Sequence, residues 1–192
     1  MSSIKLKHSG GNGVIIAAPS SNPASDRTIT VPSNADGTML TTTNPKSGTI
    51  VQTVTVTGET DLASTSTSFV ETPVTGSITP ESSSSKIIIT CCVPVWPAAG
   101  SYLHVQLRSS GGNTNNNIGE WADAYATSGS SGSAYNSMYR WVHTSHNTTS
   151  AITYKIFAHK QTSAGASWYF PNNNSDGNRT LAWVLTMEEQ VT

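Results

Sequence analysis

The sequence predicts an all-β protein: an antiparallel β-sandwich or jelly-roll-like head preceded by an extended β arm. Only 11% of the 192 residues are charged, against roughly a quarter in an average globular protein. Apolar and polar residues alternate in several short runs, such as Leu103, Val105 and Leu107, which is the period of a half-buried strand. Segments rich in Gly, Ser and Asn separate these runs, as turns do.

Residues 1–46 are predicted to form an N-terminal assembly arm. Its apolar clusters are short and are interrupted by Gly, Pro and Asx-Gly, so the arm has too little apolar surface for a core of its own. A one-sided apolar stripe and unpaired strand edges are liabilities in a monomer, and pairing between copies around an axis relieves them. The residues expected to carry assembly are Ile4, Leu6, Val14, Ile16, Ile29 and Val31.

Residues 47–192 are predicted to form the head, with the boundary in the segment Pro-Lys-Ser-Gly at 45–48. Pro73 indicates a bent or edge strand, because proline cannot donate to a ladder. The near-continuous apolar run at 86–95 is typical of a strand buried on both faces. A single helical turn at residues 121–125 is left open as an alternative. The expected strands cover 50–57, 68–70, 74–78, 86–95, 102–108, 138–143, 152–159, 167–170 and 179–187.

Charge and hydropathy exclude several classes of partner. The net charge is −1 and no basic patch stands out, so we expect neither nucleic acid nor an anionic membrane surface as a partner. No apolar run has the length of a membrane span, and no signal peptide is expected at the N-terminus. Cys91 and Cys92 are neighbours, whose side chains point to opposite faces of a strand. Both are therefore predicted to be reduced, with one or both buried.

Two sets of residues resemble bacteriophage tail fibres and related virion proteins, especially those of phages that infect aquatic bacteria. The first set is Asn-Pro-Ala-Ser-Asp-Arg-Thr-Ile-Thr-Val-Pro at 22–32, followed by Ala-Asp-Gly-Thr-Met-Leu-Thr at 35–41. The second set comprises Ser-Thr-Ser-Phe-Val at 66–70, Ile-Thr-Pro at 78–80, Ser-Ser-Lys-Ile at 84–87 and the closing run at 180–188. Together they span nearly the whole chain.

This resemblance implies a homotrimer in which three arms intertwine and a β-sandwich head follows. The implied function is that of a non-enzymatic virion structural protein, made in the host cytoplasm and located in the virion. A tail or baseplate fibre component that contacts the host surface is the first interpretation, and a trimeric capsid decoration protein is the alternative. The expected partners are two further copies, other virion proteins of the tail, baseplate or capsid, and a host cell-surface glycan.

Aromatic residues beside polar loops are the candidates for receptor binding. Sugar rings stack on Trp and Tyr, while Asn, Asp and Ser bond the hydroxyl groups. The same side chains dominate protein interfaces, so subunit packing or closure of the sandwich ends is the first explanation and glycan binding the second. The candidate receptor- or glycan-binding residues are Trp121, Asp123, Tyr125, Tyr135, Tyr139, Trp168 and Tyr169.

No enzyme, cofactor or metal site is expected. Glu120 and Asp123 are the one carboxylate pair suited to glycoside hydrolysis, so a polysaccharide-cleaving tailspike is a minor alternative. The Gly-x-Ser-x-Gly and Walker A patterns do not occur. His143 and His146 point to opposite faces if the strand continues and converge only if the chain turns, and a metal site needs a third ligand.

Overall fold

The computed structural model describes residues 3–7, 9–17, 45–111, 115–125, 135–162, 167–171 and 182–192. Every regular element in these ranges is a β-strand, and the expected all-β class is confirmed. The strands are β1 Ser3–Lys7, β2 Gly13–Ala17, β3 Ile50–Gly58, β4 Ala63–Ser64, β5 Val70–Ile78, β6 Lys86–Val95, β7 Tyr102–Ser110, β8 Asn115–Tyr125, β9 Tyr135–His143, β10 Ile152–Lys160, β11 Trp168–Tyr169 and β12 Trp183–Gln190.

Eight of these strands form a jelly roll. One sheet has the order β5-β10-β7-β8 and the other β3-β12-β6-β9, and every pairing is antiparallel. Each strand of the first half pairs with one of the second half in reverse order: β3 with β12, β5 with β10, β6 with β9 and β7 with β8. A long antiparallel hairpin wrapped into two facing sheets has this order, which is the double-sheet jelly roll.

The core lies between the two sheets and is built from the alternation visible in the sequence. On β7, Leu103, Val105 and Leu107 are buried, as their spacing predicts. On β6 the inward residues are fully packed, but Cys92 on the outer side is exposed, so this strand is not buried on both faces along its whole length. Cys91 is buried, and burial raises the pKa of its thiol. Both cysteines are free, as expected.

Strand β5 lies at a sheet edge, as Pro73 predicts. The register between β10 and β5 shifts between Lys155 and Phe157, opposite the stretch that contains the proline. At this irregularity the hydroxyl of Thr72 donates a 2.9 Å hydrogen bond to the carbonyl oxygen of Ile156. A side-chain donor therefore satisfies a buried backbone acceptor next to a residue that has no N–H to offer.

Residues 121–125, for which a helical turn was an alternative, form the second half of β8. This strand pairs with β7 along one side only, because it forms a sheet edge. Its first five residues are Asn-Asn-Asn-Ile-Gly, with a single apolar side chain, so the sequence lacks the alternation that marks a strand. The strand was missed for this physical reason.

Contacts divide the chain into two compact units, Met1–Met39 and Leu40–Thr192. The described part of the first unit is the hairpin β1-β2. The head was predicted to begin at residue 47, and residues 48 and 49 are tied to the last strand region by hydrogen bonds between Gly48 N and Val191 O (2.8 Å) and between Val191 N and Thr49 O (3.0 Å). Among the described residues no helix has the length and apolar character of a membrane span.

Candidate functional site

The register of the hairpin β1-β2 puts Leu6 and Ile16, two residues of the predicted apolar stripe, on one face, while the side chains of Ile4 and Val14 lie outside the described part of the structure. Ile4 pairs with Ile16 and Leu6 with Val14 across the two strands, and residues two apart on a strand share a face. Leu6 is 60% exposed and Ile16 is 48% exposed. The other face carries Ile15, which is also exposed, opposite Lys5. Ile29 and Val31, the remaining predicted arm residues, lie outside the described part of the chain.

A two-stranded hairpin with open apolar side chains is a poor structure for a solitary molecule. An isolated hairpin is marginally stable in water, and within the described residues neither of its edges pairs with a further strand, which leaves N–H and C=O groups for another chain. Leu6 is 60% and Ile16 48% exposed, so full burial of each would contribute roughly 1–2 kcal/mol. The hairpin is therefore suited to pairing or packing with a second polypeptide.

The aromatic candidates separate into exposed and buried residues. Trp121 lies on the edge strand β8 opposite Val105 and is 49% exposed. Tyr169 is half-buried and closes one end of the sandwich, where its backbone pairs with Trp96 through hydrogen bonds of 2.8 and 3.0 Å. The side chains of Asp123, Tyr125 and Tyr135 lie outside the described part of the structure.

Tyr139 and Trp168 were expected beside surface loops, and this placement is wrong. Tyr139 lies on the inner face of β9, with its ring centroid 5.8 Å from that of Trp141 and 6.0 Å from that of Phe170. Trp168 is fully buried, and its indole N–H donates to the carbonyl oxygen of Ser66 at 3.0 Å. Neither ring is available to a sugar from solvent, because both help to fill the core.

A cluster on the outer face of the β5-β10-β7-β8 sheet was not anticipated. It consists of His104 on β7, Glu120 on β8 and His159 on β10, each of which offers one ligand atom within 4.8 Å of the other two. His159 is directly opposite His104, while Glu120 is opposite Gln106, one outward position further along β7. The outer-face cluster therefore follows from the register of three adjacent strands.

Hydrogen bonds and rings hold the outer-face cluster in place. Nδ1 of His104 is 3.0 Å from Oε1 of Glu120, and the His104 and His159 rings stack with their centroids 4.8 Å apart. Phe69 lies edge-on to His159 at 4.4 Å. Gln106 donates to Oε2 of Glu120 at 3.5 Å. The side chains of the outer-face cluster therefore contact one another as well as solvent.

His143 and His146 converge, with ring centroids 5.9 Å apart, because the chain leaves the strand after residue 143. Both are buried. The two ring nitrogens of His146 lie 2.8 Å from the carbonyl oxygen of Ser85 and 3.1 Å from that of Thr148. Since both nitrogens already have backbone partners, this pair forms part of the packing and is not a ligand set. Burial, followed by the neighbouring His146, lowers the pKa of His143.

A buried carboxylate fixes the loop between β5 and β6 beside His146. Glu189 is fully buried and accepts hydrogen bonds from the backbone N–H groups of Glu81 and Ser82, the hydroxyl of Ser85 and the amide of Gln52. Burial alone would raise the pKa of Glu189, but these bonds to the charged form outweigh it and hold the pKa below its ordinary value. We call this set of contacts the Glu189 network.

The outer face of the other sheet contains a groove and the exposed apolar side chains of Met138 and Val142. The cross-strand row Val184, Cys92 and Met138 runs across it, and Met138 is 71% exposed. The groove has a volume of about 460 Å³. Its lining residues are Cys92, Val93, Pro94, Asn136, Ser137, Met138, Ala182 and Val184.

Comparison with known proteins gave matches to solved structures alone: no protein-family model and no curated protein sequence matches the chain. The chain is similar to a chain in the structure of the Gt strain of infectious bursal disease virus, with 14% identity and a TM-score of 0.41 over 95% of this chain and 48% of that one. It is also similar to VP2 in a subviral particle of the same virus, with 14% identity and a TM-score of 0.43 over 87% of this chain and 42% of that one.

A third similar chain comes from T=1 particles derived from infectious bursal disease virus, with 13% identity and a TM-score of 0.42. This protein spans less than half the length of each of these viral chains. The assignment of the jelly roll comes from the strand pairings, since the identities and TM-scores are too low to carry it.

Proposed function

We propose that this protein is a non-enzymatic structural component of a virus particle and assembles as a homotrimer through its N-terminal hairpin. The observation that carries the proposal is the apolar stripe, whose residues Leu6 and Ile16 face solvent. An exposed apolar face of this kind is typical of a surface that packs against another polypeptide. The jelly-roll head supports the viral role, because this topology recurs in capsid domains, although it also occurs in lectins and cupins.

The occupant that best fits the apolar stripe is a second copy of the same stripe. The charged residues of β1, Lys5 and Lys7, lie on the opposite face of the hairpin. The stripe itself is apolar, so copies can cover one another around a symmetry axis without placing like charges together. The resemblance to phage tail fibres implies that three copies do so.

The head supports an assembly role through its surface. The low charge of the whole chain and the exposed apolar side chains of Met138 and Val142 favour close packing against neighbouring proteins, since few charges need to be desolvated. Tail, baseplate or capsid proteins are the proposed neighbours. Neither nucleic acid nor membrane insertion is part of the proposal.

A tail or baseplate fibre component that contacts the host surface is our first choice, and a capsid decoration protein is the alternative. The number of copies per particle distinguishes them, because decoration proteins occur in hundreds and fibre components in tens. Quantitative mass spectrometry of purified virions measures this number. The minor alternative, a polysaccharide-cleaving tailspike, requires that the protein release reducing sugar and lose this activity in Glu120→Gln.

Deleting residues 1–46 is expected to abolish incorporation into particles while the head remains folded. The head has its own core between the two sheets, whereas the deleted segment carries the apolar stripe. Incorporation is measured by mass spectrometry of virions from cells that supply the truncated chain, and folding by circular dichroism of the purified head. Truncated protein found on virions at the parental copy number would contradict the anchoring role.

Trp121→Ala is expected to reduce binding to host cells about tenfold or more if the head contacts a surface glycan. Trp121 is a large exposed ring on the edge strand, and exposed tryptophans that anchor an interface contribute about 2 kcal/mol or more. Binding of labelled trimer to host cells is measured before and after periodate oxidation of surface sugars. Met138→Ala removes an exposed apolar side chain from the other sheet and serves as the control, with binding unchanged.

A further inference from the structure

We propose that His104, Glu120 and His159 bind a divalent transition-metal ion, with Zn²⁺ as the first candidate. Two imidazoles and one carboxylate form a donor set that zinc uses in proteins, with metal–ligand distances of about 2.0–2.2 Å. The candidate ligand atoms already lie within 4.8 Å of one another, and His104 Nδ1 is 3.0 Å from Glu120 Oε1. Ligands around one tetrahedral zinc lie roughly 3.4 Å apart, so small side-chain rotations close the site.

The hydrogen bond of His159 prepares it as a ligand. Its Nδ1 lies 2.8 Å from the carbonyl oxygen of Lys160. A carbonyl oxygen only accepts hydrogen bonds, so in the neutral ring Nδ1 carries the proton and Nε2 keeps its lone pair. Metal-bound histidines in proteins are typically oriented by such a bond from the other ring nitrogen.

The carboxylate of Glu120 is oriented in a similar way. Gln106 donates to Oε2, and Arg108 Nε donates to Oε1 of Gln106 at 2.7 Å, which turns the amide N–H₂ group toward Glu120. Arg108 is itself held over the ring of Phe157 at 4.0 Å. This chain of contacts leaves Oε1 of Glu120 directed toward His104, and outer contacts of this kind accompany metal ligands.

The stacking of His104 on His159 is a further observation in favour of a bound cation. Their ring centroids lie 4.8 Å apart, beside the carboxylate of Glu120 on the outside of the sheet. A metal ion held by two imidazoles and a carboxylate accounts for this arrangement.

The nature of the donors selects the class of metal. Imidazole nitrogen favours Zn²⁺, Co²⁺ or Ni²⁺ over Mg²⁺ and Ca²⁺, which prefer oxygen ligands alone. The site is open on one side, since the side chains of His104 and Glu120 are 20% and 36% exposed. Three protein ligands therefore leave a coordination position for water or for a donor from another chain.

Titration of the full-length, chelator-treated protein with ZnCl₂ by calorimetry is expected to show one ion bound per chain. With CoCl₂ the same site is expected to give the visible absorption of Co²⁺ bound to nitrogen and oxygen. Glu120→Gln and His159→Gln are expected to weaken binding more than tenfold, and Gln106→Leu, which retains all three ligands, about tenfold. Glu188→Gln, which removes a carboxylate from the other sheet, serves as the matched control and is expected to bind like the parent.

Thermal unfolding in the presence of chelator tests whether each variant is folded. Added Zn²⁺ is then expected to raise the melting temperature of the parent but not that of Glu120→Gln or His159→Gln. The proposal is overturned if no ion binds at one equivalent. It is also overturned if both ligand variants, folded in chelator, bind Zn²⁺ as the parent does, since the metal would then occupy another site.

Discussion

Replacing Leu6 and Ile16 together by aspartate is expected to convert the trimer into a monomer of 20.2 kDa. Each substitution removes about 1–2 kcal/mol of apolar burial per subunit, and it also introduces a carboxylate that the assembled stripe would have to desolvate. Since every 1.4 kcal/mol is a factor of ten, the dissociation constant should rise more than about 100-fold. Light scattering during size-exclusion chromatography measures the mass.

Ile15→Asp is the matched control for this double variant. Ile15 is as exposed as Leu6 and Ile16 but lies on the other face of the hairpin. The trimer should therefore survive its replacement, while the unfolding of the head should be the same in all three proteins. A monomeric parent protein would contradict the assembly proposal outright. If Ile15→Asp dissociates the trimer and the Leu6 and Ile16 double variant does not, the subunits make contact through the opposite face of the hairpin.

The positions of most strands and their buried faces could be predicted from the sequence, because apolar and polar residues alternate along each of these strands. The spacing of Leu103, Val105 and Leu107 determines which face of β7 is buried, and Pro73 determines that β5 lies at an edge. The apolar stripe of the hairpin followed from the same period. Strand β8 could not be predicted, since an edge strand rich in Asn and Gly has little apolar surface to bury and therefore no alternation to detect.

The outer-face cluster could not be predicted because it depends on register between distant strands. The outward position of His104 follows from the alternation of β7, but nothing local shows that His159 lies directly opposite it. The misplacement of Tyr139 and Trp168 has a related cause. Their flanking Gly, Ser and Asn residues are typical of loops, whereas the packing of the two sheets and the short β4-β11 pair draws both rings into the core.

Glu189→Gln is expected to lower the free energy of unfolding by about 2–4 kcal/mol near neutral pH. Oε1 of Glu189 accepts from Ser82 N (3.0 Å) and Ser85 Oγ (2.7 Å), and Oε2 accepts from Glu81 N (2.8 Å) and Gln52 Nε2 (3.2 Å). The N–H of Glu81 also lies 3.0 Å from Oε1. An amide nitrogen cannot accept, so glutamine turns its N–H₂ group either toward Ser82 and Ser85 or toward Gln52, and the bonds that remain are to a neutral acceptor. Urea unfolding of parent and variant measures the difference.

The pH dependence of this difference gives a sharper test, because its sign is determined by the Glu189 network. The pKa of Glu189 in the folded protein lies below the ordinary 4.5, so the unfolded state binds more protons as the pH falls. The stabilisation that the charged Glu189 carboxylate gives is fully present above pH 4.5, and it is lost as the pH falls through the pKa of Glu189 in the folded protein. The parent and Glu189→Gln should therefore converge in stability below pH 4.5. The control variant Glu188→Gln changes a residue on the outer face, and its free energy of unfolding should vary with pH as that of the parent does. If the parent and Glu189→Gln differ in free energy of unfolding by the same amount at every pH, the charge of Glu189 contributes nothing to stability.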